Sequence, residues 1–152
     1  MAGSGKNPTD RGRPGIKQYL LVDSNGIPLA VKGTPANQPD IQEMLPMVAS
    51  LGPRDEEGEP RRLPKKLYGD RAYDSESHRE KLRELGIEPQ LARRREGHGS
   101  HLGVYRWVVE RTISWLHGFR KIRMVTEKTE EMQVAFLNLA TAIICFRFLH
   151  PS

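Results

Sequence analysis

Apolar and polar positions along the chain change period several times, and each change marks an element. In "KQYLLVDSNGIPLAV" (17–31) two β-rich runs flank Asp-Ser-Asn-Gly. Asn25-Gly26 supplies the positive-φ residues of a tight turn, so this stretch predicts a β-hairpin. "DIQEMLPMVASLG" (40–52) predicts a short helix with Asp40 as N-cap and Gly52 as stop, interrupted by Pro46. The charged, Pro- and Gly-containing "PRDEEGEPRRLP" is a loop, and "KKLYGD" (65–70) is a short strand. Ser75 then caps "ESHREKLRELG" (76–86), with Leu82 and Leu85 facing inward and Gly86 ending the helix.

A second short strand, "IEPQLA" (87–92), leads to "RRREGHGSHLG" (93–103), a basic loop. The last third reads as two helices, 104–118 and 128–149, joined by "RKIRMVT" as a brief extended piece. Hairpin, helix, strand, helix, strand, helix, helix is the order of an α/β sheet covered by helices. There are no internal repeats and no coiled-coil heptads.

A chain of 152 residues is one domain in size, or part of a larger one. Its net charge of +5 is unevenly placed. Between residues 93 and 123, eight basic side chains (Arg93, Arg94, Arg95, Arg106, Arg111, Arg120, Lys121, Arg123) face only Glu96 and Glu110. Such a concentration suggests a polyanionic partner, nucleic acid first, against the plainer reading of a solvated face. The single cysteine, Cys145 in "TAIICFRFL", reads as a small core hydrophobe. The stretch before the first strand has no apolar h-region, so no signal peptide is expected. "VAFLNLATAIICFRFL" carries Asn138 and Arg147 and reads as short of a membrane span. The expectation is a cytoplasmic, nucleoid-associated protein with no membrane partner.

Two acids stand out. Asp70 ends a strand just before a helix cap, the edge at which α/β sheets place ligands; Asp70 and Asp74 equally suit turn and cap roles. On the helix 104–118, Val104, Val108, Trp115 and Phe119 share one side, with Val109, Thr112 and Leu116 beside them. Arg106, Glu110 and His117 fall on the far side, within about 40° of one another. This stripe is either an exposed i,i+4 ion pair or a carboxylate for Mg²⁺ flanked by groups able to hold phosphate. "GSGKN" (3–7) lacks the remainder of a phosphate-binding loop. His98 and His101 lack further ligands for zinc. Trp107 and Trp115 read as core and groove packing.

"GDRAYDS…LRELGI", the arginine-rich loop and "YRWVVERTISWLHGFRKIRMVTEKT…AFLNLATAIICFRF" resemble the C-terminal part of bacterial insertion-sequence DDE transposases of the IS-four/IS-five group. "GKNPTDRGRPGIKQYLLVDSNGIPLAV" is similar to the stretch that follows their first catalytic strand. The resemblance covers almost the whole chain. It implies an RNase H-like mixed sheet flanked by helices and lacking its first strand. Residues 1–152 would then be a single, partial catalytic domain, with 93–103 as a basic loop within it. It also implies three acids that bind two divalent metals, Mg²⁺ or Mn²⁺, to cut insertion-sequence ends and join them to target DNA.

Carried over, the Asp of the "GDR-x-YD" block is Asp70, the Glu of the "R-x3-E" block is Glu110, and the supporting arginine is Arg106. As sharers of a metal site, Asp70 and Glu110 are expected within about 4–8 Å of each other. DNA contacts would fall to Arg93, Arg94, Arg95, Arg106, Arg111, His117, Arg120, Lys121 and Arg123. The chain departs from the group at Gly103, where a Tyr is usual, and at His117, where a Lys is usual. The family places its first Asp upstream of "GKNPTDRG"; Asp10 and Asp23 are the nearby stand-ins, and Asp23 opens the hairpin turn. The chain alone is therefore expected to be inactive, with an upstream polypeptide or frameshift-fused N-terminal part supplying the first acid. A homodimer is expected when active. The alternatives are an inactive DNA-binding remnant and a metal-dependent nuclease of the same fold.

Overall fold

A computed structural model describes residues 16–52, 63–93, 103–123 and 129–150. In chain order these form β1 (Ile16–Val22), β2 (Pro28–Pro35), α1 (Met44–Ser50), β3 (Lys66–Gly69), α2 (Glu76–Glu84), β4 (Glu88–Leu91), α3 (Gly103–His117), α4 (Arg120–Arg123) and α5 (Glu130–Leu149). Short 3-10 turns at Asp40–Gln42 and Arg71–Tyr73 complete the set. The result is a mixed α/β chain with two small sheets among the described residues, β1–β2 and β3–β4. It divides into two compact units, Met1–Gln38 with Trp107–Ser152, and Pro39–Arg106.

In the first unit β1 and β2 pair antiparallel, Tyr19 opposite Lys32 and Leu20 opposite Val31. The turn forms as the Asn-Gly pair demands, with Gly26 at φ 81°. Asp23 organises it: its Oδ1 accepts from the backbone N–H of Asn25 (2.9 Å) and of Ile27 (2.8 Å). The aspartate that opens the hairpin therefore has a structural task. Thr129 begins α5, its Oγ1 accepting from the Met132 N–H at 3.4 Å. The helix comes so close to β2 that a Cβ on Gly33 would stand 2.9 Å from Val134 Cγ2. Leu116, Ile122, Leu137, Ala140 and Ile144 form the buried cluster, with Leu20, Val31, Trp115, Phe119 and Phe136 packed around it.

The expected extended piece after α3 is instead partly helical. Gly118 closes α3, and the Phe119 carbonyl accepts from the N–H groups of Ile122 (3.0 Å) and Arg123 (3.1 Å). One turn of helix is what turns Ile122 into the cluster, so packing overrides the local pattern. Met124–Thr126 lie outside the described residues. Cys145 is half-buried, its thiol donates weakly to the Pro28 carbonyl (3.6 Å), and burial pushes its pKa up. The sequence placed the C-terminal apolar run below a membrane span. Glu131–Leu149 in fact has a mean hydropathy of 1.7 and passes that test by length and composition. In this structure α5 packs on β2.

The second unit is a β–α–β arrangement. β3 and β4 are parallel, Leu67 opposite Pro89 and Gly69 opposite Leu91, with α2 as the crossover. Leu67, Leu82, Ile87 and Leu91 are buried, as are Met44, Met47 and Val48 of α1. Pro46 does not break α1: it is the third helical residue, where a backbone N–H has no intrahelical acceptor. Asp40, expected as the N-cap of this helix, instead opens the 3-10 turn Asp40–Gln42 ahead of it, and Ser75 at the N-cap of α2 makes no side-chain capping bond. Gly52 and Gly86 end their segments at φ 66° and 75°. Leu85, expected on the inward face, is exposed, because it is already the C-cap residue of α2. The buried partner of Leu82 is Arg79, three residues earlier on the same face.

Candidate active site

Asp70 leaves the carboxyl end of β3. Its backbone is extended, and its Oδ1 accepts from the Ala72 N–H at 2.9 Å, so it caps the Arg71–Tyr73 turn. The side chain is exposed, so the capping role and an outward-facing carboxylate coexist. The β3–β4 ladder continues one step further, with the Ala92 N–H donating to the Gly69 carbonyl at 3.0 Å. This brings exposed Arg93 to the same end of the parallel pair as Asp70. Gly69, just before Asp70, is required by close approach: a Cβ there would lie 2.7 Å from Leu91 Cδ2.

Behind this edge is a residue that sequence reasoning passed over. Arg79 is buried, and its Nη2 donates to Asp74 Oδ1 (2.7 Å) and to the Leu91 carbonyl (2.9 Å). One guanidinium thus ties the loop after β3 to the end of β4. Asp74 is the loop's half of that ion pair. The available signal was an arginine three residues before Leu82, on the apolar face of an otherwise amphipathic helix. Also in this unit, Tyr68 stacks on Tyr105 with ring centroids 4.0 Å apart. The hydrogen bond between the two side chains raises the pKa of Tyr68.

Glu110 is exposed on α3, as are Arg106 and His117, so the polar side of the helix faces outward as its periodicity requires. The two residues after Glu110 fix this helix in the first unit. Thr112, fully buried, donates from Oγ1 to the Gly26 carbonyl at 2.7 Å. Arg111 donates from Nη2 to the Asn25 carbonyl at 2.6 Å. Gly26 permits this contact, since a Cβ would come within 2.8 Å of Thr112 Oγ1. The Arg111 guanidinium lies 4.5 Å from the Trp107 ring centroid and 4.9 Å from that of Trp115. Trp107, expected in the packing, is instead half exposed with Arg111 against its face.

Asp70 belongs to the second unit and Glu110 to the first. Among the described residues no group of three or more His, Cys, Asp and Glu side chains could hold a metal ion. Arg120, Lys121 and Arg123 are exposed. Lys121 Nζ lies 5.4 Å from the Phe136 ring centroid. His117 and Arg123 border one cavity of about 360 Å³ whose other walls include Ile16, Leu20, Val31 and Ile113. Arg94, Arg95, His98, His101 and Asp10 lie outside the described residues.

The model of the family described as "Transposase DDE domain" matches residues 1–145. The chain belongs to that family of transposases. It is also 49% identical, over 147 residues, to a "Putative transposase for insertion sequence element IS402" of Burkholderia cepacia. The match covers 96% of this chain and 70% of that protein. No solved structure matches the chain. For a DDE transposase, DNA transposition is the activity, DNA the substrate, and a divalent metal the usual cofactor of the family. Carboxylate oxygens such as those of Asp70 and Glu110 are the donors that hard divalent cations take, so these residues fit the group.

Proposed function

We propose that this chain is the greater part of an RNase H-like catalytic domain in which Asp70 and Glu110 hold Mg²⁺ or Mn²⁺, their carboxylates about 4–8 Å apart. The observation that carries the reading is Asp70 at the carboxyl end of a parallel strand pair, beside Arg93, in a chain of the DDE transposase family. The third acid is assigned to an upstream strand rather than to Asp23, because the Asp23 carboxylate already holds the hairpin turn.

When bound, the metals stabilise charge on the attacked phosphate and on the leaving 3′ oxygen. The chain's own residues position the DNA. Arg93, Arg94, Arg95, Arg106, Arg120, Lys121 and Arg123 contact phosphates, His117 stands where a lysine is usual in the group, and Arg111 holds the helix bearing Glu110 as well as adding charge. Asp74 and Arg79 orient the loop from which Asp70 projects. The reaction is hydrolysis at the insertion-sequence ends followed by attack of the freed 3′-OH on target DNA, carried out by a homodimer in the cytoplasm, on the nucleoid.

Two experiments test this. Residues 1–152 alone should bind DNA but leave it uncut with Mg²⁺ or Mn²⁺, and joining an Asp-bearing upstream strand should confer cleavage. Cleavage by the isolated chain would contradict the assignment of the third acid. Binding should weaken with salt by a slope of about −0.9 per phosphate contacted. Reversing the charge of Arg93, Arg94 and Arg95 together should lower that slope by about 2–3. An unchanged slope would reduce the basic loop to a solvated surface, as would be expected if DNA bound elsewhere.

A further inference from the structure

Glu110 lies on the outward side of α3, and the contacts that fix this side are on the inward one. Thr112, two residues on and about 200° around the helix, has no exposed surface. Its Oγ1 donates to the Gly26 carbonyl at 2.7 Å, and Arg111 Nη2 donates to the Asn25 carbonyl at 2.6 Å. Two consecutive side chains of α3 thus meet two consecutive carbonyls of the hairpin turn. The turn is itself closely specified. Asp23 Oδ1 accepts from the Asn25 and Ile27 N–H groups. Backbone bonds run from the Gly26 N–H to the Asp23 carbonyl (3.1 Å) and from the Asp23 N–H to the Ile27 carbonyl (3.0 Å). On the helix, the Arg111 guanidinium rests against the rings of both Trp107 and Trp115.

We propose that the Asp23–Gly26 turn is the positioning element for the Glu110 carboxylate, with Thr112 its contact on α3 and Asp23 its brace. The inference rests on the metal-binding reading of Glu110 given above. The other buried contacts of α3, through Val108 and Leu116, are apolar and non-directional, so they hold the helix against the core without selecting its rotation. A hydroxyl-to-carbonyl bond does select it, because it weakens steeply as its angle closes. A slip of one residue along α3 means about 1.5 Å and about 100°, and about 1 Å of misplacement at a reacting group costs about a hundredfold in rate. Gly26 belongs to the device. It is buried at φ 81°, and a Cβ there would stand 2.8 Å from Thr112 Oγ1 and 3.1 Å from Arg111 Nη2. Asp23 therefore serves the reaction without touching a metal, through the carbonyls it orients. The two roles give opposite outcomes for Asp23→Asn, since the amide keeps the Oδ1 acceptor and loses the charge that a metal ligand needs.

Titrating Mn²⁺ into the 152-residue chain and following line broadening of the Glu110 amide gives a dissociation constant for metal at that residue. Thr112→Val removes the hydroxyl and keeps the branched shape. It should raise this constant about tenfold, the low end of what partners that orient a metal ligand cost. Thr112→Ser should restore it to within about twofold, because the donor returns. Asp23→Asn should also stay within about twofold, whereas Asp23→Ala should lose about as much as Thr112→Val. Ile144→Val, which trims a side chain of the buried cluster, reports what lost stability alone does and should leave the metal affinity unchanged. Wild-type affinity in Thr112→Val or Asp23→Ala would overturn the proposal, and an equal loss in Ile144→Val would do so by making the effect one of stability. A tenfold loss in Asp23→Asn would overturn it by returning Asp23 to the metal. Absence of broadening at Glu110 in the unaltered chain would remove the metal site and the proposal with it. A site that is present and ignores Thr112→Val would leave that site standing and remove the role of the turn alone.

Discussion

Replacing Asp70 by Asn is expected to abolish metal-dependent strand cleavage, by at least about a thousandfold, in the chain joined to an Asp-bearing upstream strand. Holding a divalent metal against the reacting phosphate is worth several kcal/mol of transition-state stabilisation, and about 4 kcal/mol corresponds to a thousandfold in rate. Asn keeps the capping acceptor that Asp70 Oδ1 offers to the Ala72 N–H, so the local turn should survive. Glu110→Gln should give a loss of the same size, because Glu110 is exposed and the helix is anchored by its neighbours Arg111 and Thr112. Binding of DNA, measured by anisotropy, should be unchanged or slightly tighter as a negative charge is removed. Either variant retaining cleavage within tenfold would remove that acid from the site.

The second large effect is structural. Arg79→Ala should destabilise the chain by about 3 kcal/mol in urea denaturation, the usual scale for removing one member of a buried ion pair. The loss has two parts. Asp74 is left without the guanidinium that faces it at 2.7 Å, and the Leu91 carbonyl loses a buried donor at 2.9 Å. Arg79→Lys should recover only part, since a compact ammonium lacks the forked donors of a guanidinium. A cost below about 0.5 kcal/mol for Arg79→Ala would place this residue with ordinary surface substitutions and would leave the loop bearing Asp70 without its anchor.

What the sequence made legible follows from the range of the interactions involved. The hairpin rests on a local Asn-Gly turn, the stops at Gly52 and Gly86 on single residues, and the outward stripe of α3 on helical period. All three could be read from a few neighbouring positions. Arg79 could not, because its second acceptor, Leu91, lies twelve residues away on another strand. The pin from Thr112 to Gly26 spans 86 residues. Leu85 and Ile122 show the same limit in miniature: whether each faces inward depends on where a helix ends or begins, which packing decides. The exposed apolar face of α5 was hidden because the helix is apolar on its buried side too, so the two stripes blur into one hydrophobic run until exposure separates them. The two acids are singled out only by their motifs, since neither a strand end nor a helix stripe alone distinguishes a catalytic carboxylate from a cap.

The central claim is that Asp70 and Glu110 share a metal site, and paramagnetic line broadening by Mn²⁺ in the NMR spectrum of the 152-residue chain tests it most directly. The account predicts that substoichiometric Mn²⁺ broadens amides around Asp70 and around Glu110 together, and that Asp70→Asn removes both effects at once. Broadening near only one of the two acids, or broadening near Glu110 that persists in Asp70→Asn, would contradict it.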